Sequence, residues 1–268
     1  MGAMEHSTMQ KSIGVFDSGV GGLSVLTHIH QYLSSESLIY VADSAFMPYG
    51  CKSPAEVSER CIKISDFLVA QGAQAIVVAC NTATAVAVNL LRARYTIPVI
   101  GMEPALKPAV THSRTGVVAV LATSGTVSSE RFNSLKARFA ADARLLVQPC
   151  PGLVERIESG DLAGEETRAM LTAYLKPLLE QGVDTIVLGC THYPYVIPLI
   201  TEIAGDNVSI LDTGDAIARE LKRQLQLRGS VHQEQQSGGV EFWSTGSPNQ
   251  TLISRLWGQP VHVGQLDI

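Results

Sequence analysis

Short apolar runs alternate along the chain with longer amphipathic stretches. The runs lie at 12–17, 38–43, inside 71–82, and at 97–102, 116–122, 144–148, 183–190 and 208–212. Runs of this length, rich in β-branched residues and bounded by turn residues, predict buried parallel strands. The stretches between them predict helices from Leu23 onward and over 53–71, 82–94, 129–140, 153–158, 165–181 and 215–227, with a proline-interrupted helix start in 191–200. The helix over 53–71 carries its own start signal: Ser53 as cap, Pro54 in the first turn and Glu56 closing a capping box. In that helix Val57, Cys61, Ile64 and Leu68 fall on one face, so Cys61 reads as core. The tail adds two short strands, within EFWST and VHVGQL, around a helix. Strands alternating with helices throughout predict an α/β fold built on parallel sheets.

One stretch occurs twice. QGAQAIVVACNT at 71–82 aligns with QGVDTIVLGCTH at 181–192, superposing Cys80 on Cys190. Each copy has a Gly that would end a preceding helix, then an apolar run, then a Cys followed by hydrogen-bonding residues. In open α/β sheets, ligands sit at the carboxyl ends of strands. Two strands with matching ends therefore predict two half-sites, each presenting one thiol. A single buried Cys would be an ordinary small core residue. Two at matching points of a repeat, followed by Asn81-Thr82 and Thr191-His192, point to function.

Composition narrows the classes. At 268 residues, with 46% apolar residues, the chain suits two modest α/β domains or one large one. A net charge of −5 without a basic run gives no electrostatic footprint for nucleic acid. No apolar run is long enough for a membrane span, and the start MGAMEHSTMQK lacks an apolar core, so residues 1–10 read as a disordered leader or a cloning remnant. Five cysteines with no CxxC pair predict reduced thiols in a cytoplasmic protein.

The loops carry the remaining chemistry. The first strand ends in Asp17-Ser18-Gly19-Val20-Gly21-Gly22, a glycine-rich turn into a helix whose amides could cradle an anion. It matches neither a P-loop nor GxGxxG, so a carboxylate ligand fits better than a nucleotide. Asp17 reads either as a helix cap or as a charge for an ammonium group. Pro48, Tyr49 and Gly50 form a turn at the same edge, with Tyr49 a candidate pocket wall. Thr123-Ser124-Gly125-Thr126 is the second-half counterpart of the first turn. Two opposed thiols can invert a stereocentre: one takes a proton from carbon while the other returns one from the opposite face. A thiol of ordinary pKa ~8.5 is a weak base for a carbon acid, so the site must stabilise the carbanion with preorganised donors. Asn81, Thr82, Thr191, Ser18 and the turn amides are donors of that kind, and Asp17 and His192 are candidate tuners of protonation. Three other readings stand beside this one. They are a zinc site using Cys80, Cys190, His192 and Asp17, a Cys–His nucleophile pair, and a binding module without catalysis. His28, His30, His112, His232 and His262 read as surface or structural.

At these residues the chain resembles the glutamate racemases of the aspartate/glutamate racemase family. The likeness runs from Ile13 nearly to the C-terminus through VFDSGVGGLSV, YVAD…PYG, ACNTAT, ATSGT, CPGLVERIE and GCTHYP. The resemblance implies two pseudo-symmetric α/β domains, 11–103 plus 213–268 and 104–212, with the active site in the cleft between them. It implies cofactor-independent interconversion of L- and D-glutamate for peptidoglycan synthesis, with Cys80 the base for D-glutamate and Cys190 the base for L-glutamate. Asp17, His192 and Glu158 match auxiliary positions, with Glu155 the other acid of that stretch and Asp43 a further acid. Asp17, Ser18, Pro48, Tyr49, Gly50, Asn81, Thr82, Thr123, Thr126, Thr191 and His192 match substrate-contacting positions. The resemblance implies no metal or cofactor, a homodimer, and in some relatives a gyrase-binding role. Aspartate racemases of the same family share the two-cysteine logic.

Overall fold

Among the described residues, ten strands form at the short apolar runs: β1 (Ser12–Asp17), β2 (Ser37–Ala42), β3 (Ala73–Val78), β4 (Val99–Ile100), β5 (Val117–Ala122), β6 (Arg144–Pro149), β7 (Thr185–Gly189), β8 (Ser209–Leu211), β9 (Val240–Thr245) and β10 (Val263–Leu266). The computed structural model describes residues 11–230 and 238–268. The leader expected at 1–10, His232 and most of the polar loop expected at 229–239 lie outside the described residues.

The strands make two all-parallel sheets, one of six strands in the order β10-β9-β2-β1-β3-β4 and one of four in the order β6-β5-β7-β8. The core β2-β1-β3-β4 of the first repeats as β6-β5-β7-β8 in the second. The sequence repeat is thus a repeat of topology, with β3 and β7 at the same place in each sheet. The registers near the strand ends are offset rather than identical: Phe16 pairs with Val78, two residues before Cys80, and Ala122 with Gly189, one residue before Cys190. Both thiols follow directly, one residue past Ala79 and one past Gly189.

Parallel sheets bury both faces, and helices cover both here. Helices Leu23–Tyr32, Gly214–Leu227 and Gln250–Trp257 pack on one face of the first sheet through Leu26, Ile29, Leu221 and Ile253. Helices Pro54–Ala70 and Asn81–Arg94 cover the other through Cys61, Ile64, Leu68 and Leu91. The second sheet is sandwiched in the same way, by Leu171, Leu175 and Ile200 on one side and Leu106 and Phe132 on the other. Gly72 and Gly182, the matching glycines of the repeat, both adopt positive φ (83° and 84°) and end the helices before β3 and β7. The capping box of Ser53 forms as expected, Glu56 N donating to Ser53 Oγ at 3.3 Å and Ser53 N to Glu56 Oε2 at 2.9 Å.

Three local readings are corrected. The strand expected over 97–102 is reduced to Val99–Ile100 at the sheet edge, because Pro98 has no N–H to offer a ladder. The crossing after Glu103 contains a helix, Leu106–His112, which two prolines disguised; Pro108 lies in its first turn, where a missing N–H costs nothing. A one-turn helix, Ser124–Ser128, follows β5, capped by Thr123 Oγ1, which accepts from Thr126 N at 3.2 Å. Among the described residues, no helix is long and apolar enough to cross a membrane.

Asp184 anchors the lower end of the second sheet. Its carboxylate accepts from Ser113 Oγ (2.7 Å), Arg114 N (2.6 Å) and Thr115 N (2.8 Å). Burial alone would raise its pKa, but these hydrogen bonds hold the carboxyl down at about 2. A depressed carboxyl stabilises the fold above its ordinary pKa of ~3.9 and loses that effect as pH falls through the folded value. We expect Asp184→Asn to lower stability by about 2 kcal/mol at pH 7. The gap to wild type should shrink between about pH 4 and pH 2. Chemical denaturation at a series of pH values measures it, and a gap constant with pH would refute the assignment.

Candidate active site

The site forms where the carboxyl ends of the two sheets meet. Cys80 follows β3 and caps the helix Asn81–Arg94, its sulfur accepting from Ala83 N at 3.5 Å. Cys190 follows β7, ahead of the short 3-10 turn Tyr193–Val196. Ser18, Pro48, Tyr49, Gly50, Cys80, Asn81 and Thr82 from the first half line one cavity with Thr123, Cys190, Thr191 and His192 from the second. Both thiols are nearly closed off, at 5% and 7% exposure, and the cavity leaves room for about one water molecule.

Each sulfur leads into a chain of titratable groups. On one side Cys80 Sγ donates to Ser18 Oγ at 3.8 Å, and Ser18 Oγ donates to Asp17 Oδ1 at 3.4 Å. On the other, Cys190 Sγ lies 3.8 Å from His192 Nδ1, and His192 Nε2 lies 2.6 Å from Glu158 Oε1. The chains approach each other where His192 Nδ1 lies 4.0 Å from Asp17 Oδ2. Burial, and then the Asp17 charge, push the Cys80 thiol well above its ordinary range. Burial also raises Asp17, against the pull of His192 and the Gly22 amide. For His192, burial favours the neutral ring, but hydrogen bonds to Cys190 and Glu158 outweigh it and raise the imidazole well above its usual range.

The glycine-rich turn differs from the open cradle expected of it. Its amides are occupied by the protein's own acids: Val20 N donates to Glu158 Oε1 at 2.8 Å and Gly22 N to Asp17 Oδ2 at 2.9 Å. The glycines are needed for close approach, since a Cβ at Gly19 would strike Glu158 and one at Gly21 the His192 ring. Asp17 does not line the cavity; it is fully buried behind Ser18 and Thr191, with Thr191 Oγ1 donating to its Oδ2 at 3.5 Å. Glu158 also stands behind the wall, holding His192, whereas Glu155 faces solvent. Thr126 is buried beneath Thr123, and both hydroxyls meet Thr82 across the cleft, at 3.1 and 2.9 Å.

Asp43 joins a closed network apart from the thiols. It pairs with Arg60 at 2.8 Å and accepts from Thr245 Oγ1 at 2.7 Å and from Tyr49 OH at 2.5 Å, so it fixes the wall rather than facing the cavity. Asn81 is the conspicuous vacant group: both polar atoms of its side chain are buried without a partner. A buried amide in that state carries a desolvation cost that a ligand would relieve. Val154 and Gly189 also line the cavity. Val154 lay hidden in an apolar helix pattern, but Gly189, beside Cys190, could have been suspected from its small size. His112 and His262 are exposed, and His28 and His30 are partly buried on the helix Leu23–Tyr32. Among the described residues, no group of three or more His, Cys, Asp or Glu side chains is arranged to hold a metal ion.

Two like α/β sheets with a thiol at the matching end of each describe a racemase scaffold, and the chain belongs to the Asp/Glu/Hydantoin racemase family, whose match spans residues 13–221. It is 53% identical to a glutamate racemase of Pseudomonas aeruginosa over 258 residues, 95% of this chain and 97% of that protein. The fold is similar to Escherichia coli glutamate racemase in complex with L-glutamate and the activator UDP-MurNAc-Ala (TM-score 0.84, 31% identity, 96% of this chain and 98% of that one). It is equally similar to the Francisella tularensis glutamate racemase in complex with D-glutamate (TM-score 0.84, 26% identity, 97% and 98%).

A raised histidine pKa has a direct consequence. His192 should remain an imidazolium at pH 7.5, with Nε2–H on Glu158 and Nδ1–H toward Cys190. Its contribution to stability is complete below the unfolded pKa of ~6.5 and is lost as pH rises through the higher folded value. Nitrogen NMR of ring-labelled protein reads the protonation state, and a neutral ring at pH 7.5 would contradict this electrostatic picture.

Proposed function

We propose that this chain is a cofactor-independent glutamate racemase working by a two-base mechanism, with Cys80 and Cys190 as the paired proton carriers. One observation carries the reading: the thiols reach the same cavity from equivalent strand ends of two like sheets. The named activity of the relatives supplies the substrate.

In this reading, Cys80 as thiolate removes the α-proton of D-glutamate, and the Cys190 thiol delivers a proton to the opposite face. For L-glutamate the roles exchange. Charge that builds on the α-carboxylate in the transition state is met by Asn81, Thr82 and Thr191, whose donors are fixed in advance. Ser18, Pro48, Tyr49, Gly50, Thr123 and His192 complete the substrate contacts, with Thr126 supporting Thr123 from beneath. Asp17 acts on Cys80 through Ser18, and Glu158 acts on Cys190 through His192. The ammonium group of the substrate, arriving beside Cys80 and Asp17, favours the ionised form of both.

The wider reading follows from the family. The two domains are 11–103 plus 213–268 and 104–212. The product D-glutamate feeds peptidoglycan synthesis in the cytoplasm, and the enzyme works as a homodimer.

The test is proton exchange at Cα. The protein, without added cofactor, is incubated in deuterium oxide with D- or L-glutamate. NMR follows loss of the α-proton and circular dichroism follows inversion. The expected result is inversion of both enantiomers with deuterium in the product, reduced about a thousandfold or more in Cys80→Ser and in Cys190→Ser. Exchange with aspartate alone would keep the mechanism and change the substrate. No exchange with either amino acid, in folded and reduced protein, would sink the reading.

A further inference from the structure

The cavity between the thiols admits about one water molecule, so an amino acid enters only when the two halves part. Most polar contacts that span the cleft beside the thiols use groups already given a part in the site: Thr82 with Thr123 and Thr126, Thr191 with Asp17, and Val20 N with Glu158. Ser24 differs. It sits on the helix Leu23–Tyr32 of the first half and does not line the thiol cavity. Its Oγ lies 2.9 Å from Gly21 O in its own turn and 2.9 Å from Thr191 O in the second half.

A hydroxyl carries one proton, so it can serve one of these carbonyls at full strength at a time. The two acceptors are not equal. Gly21 O already accepts from Ser24 N at 3.0 Å. Thr191 O has no other donor among the described residues, because the residue three further on, which would bond back to it in a tight turn, is Pro194. The Thr191 carbonyl lies in the segment between Cys190 and His192, so this bond fixes the second thiol and its histidine against the turn that carries Asp17 and Ser18.

We propose that Ser24 is a positioning residue for racemisation, a latch whose hydroxyl turns from Gly21 O to Thr191 O as the cleft closes. Opening costs little, because the hydroxyl retains the local acceptor. Closing is rewarded, because a carbonyl without a local donor gains one. The inference rests on the two-thiol reading above.

The latch predicts a directional defect. In Ser24→Ala the Cys190 segment is held less firmly while Cys80 is untouched. With D-glutamate, Cys80 takes the α-proton on time but Cys190 delivers late. The intermediate then returns more often, and in deuterium oxide the Cys80 thiol exchanges its proton and gives back a deuteron. Deuterium in recovered D-glutamate, relative to inversion, should rise about fivefold, in line with one lost hydrogen bond. With L-glutamate, return to the starting enantiomer runs through the slowed Cys190 while Cys80 delivers normally, so the same ratio should fall by a similar factor. Ser24→Thr, which keeps the hydroxyl, should restore the D-glutamate ratio. An unchanged ratio in Ser24→Ala, or a Thr variant that behaves like the Ala variant, would overturn the proposal.

A second arm needs no substrate. Labelling of Cys190 by iodoacetamide, resolved by peptide mass spectrometry, should be several-fold faster in Ser24→Ala, with the fully buried Cys61 still unlabelled. Equal Cys190 rates, or a rise at Cys61 as well, would argue against a latch. This arm decides the latch even if wild type fails to invert glutamate, an outcome that would remove the racemase reading alone.

Discussion

A histidine between two acids joins the halves of this protein. His192 lies against Glu158 on one side and approaches Asp17 on the other, and Glu158 also accepts the Val20 amide from the opposite sheet. All three side chains are buried or nearly so. Removing one member of such a set leaves an uncompensated charge in a poorly solvated place, a loss of about 3–5 kcal/mol. The same burial that makes the seam costly gives it strength, because little water competes for the partners. Everything around it, the glycines above all, is shaped so that these groups can approach.

The fold supplies the place for the seam. Parallel strands end at a common edge, and two sheets of matching order bring two such edges face to face. Neither edge alone could surround a small ligand. Each contributes a thiol, a turn after its first strand and a capped helix, and the cavity exists only where they meet. Duplication therefore fits a reaction that needs equivalent groups on both faces of one carbon.

The turn after β1 illustrates how a motif can be filled from within. Its amides point as an anion site should, yet the anions are Asp17 and Glu158. The turn recruits carboxylates from the protein, and they in turn adjust Ser18, His192 and the thiols. The polar groups left facing the cavity are Asn81, whose amide is buried without a partner, and the threonines that meet across the cleft.

Much of this was legible in the residues. The alternation of apolar runs and amphipathic stretches determined the α/β class, because strand and helix periods follow local geometry. The repeat around Cys80 and Cys190 marked the pair of thiols, because equal strands in equal sheets end alike. The resemblance named nearly all the side chains that line the cavity. It could not say which stand in front and which behind. Asp17 and Glu158 lie behind Ser18 and His192, and Glu158 rather than Glu155 is the acid that faces inward, because helix phase is set by packing against the second sheet. Nor could the chain alone reveal the helix after Glu103, where two prolines mask the period, or the hydroxyl of Ser24 between two carbonyls. Spacing along a chain decides what each segment becomes. Only the meeting of the two sheets, brought about by burying both their faces, decides which groups touch.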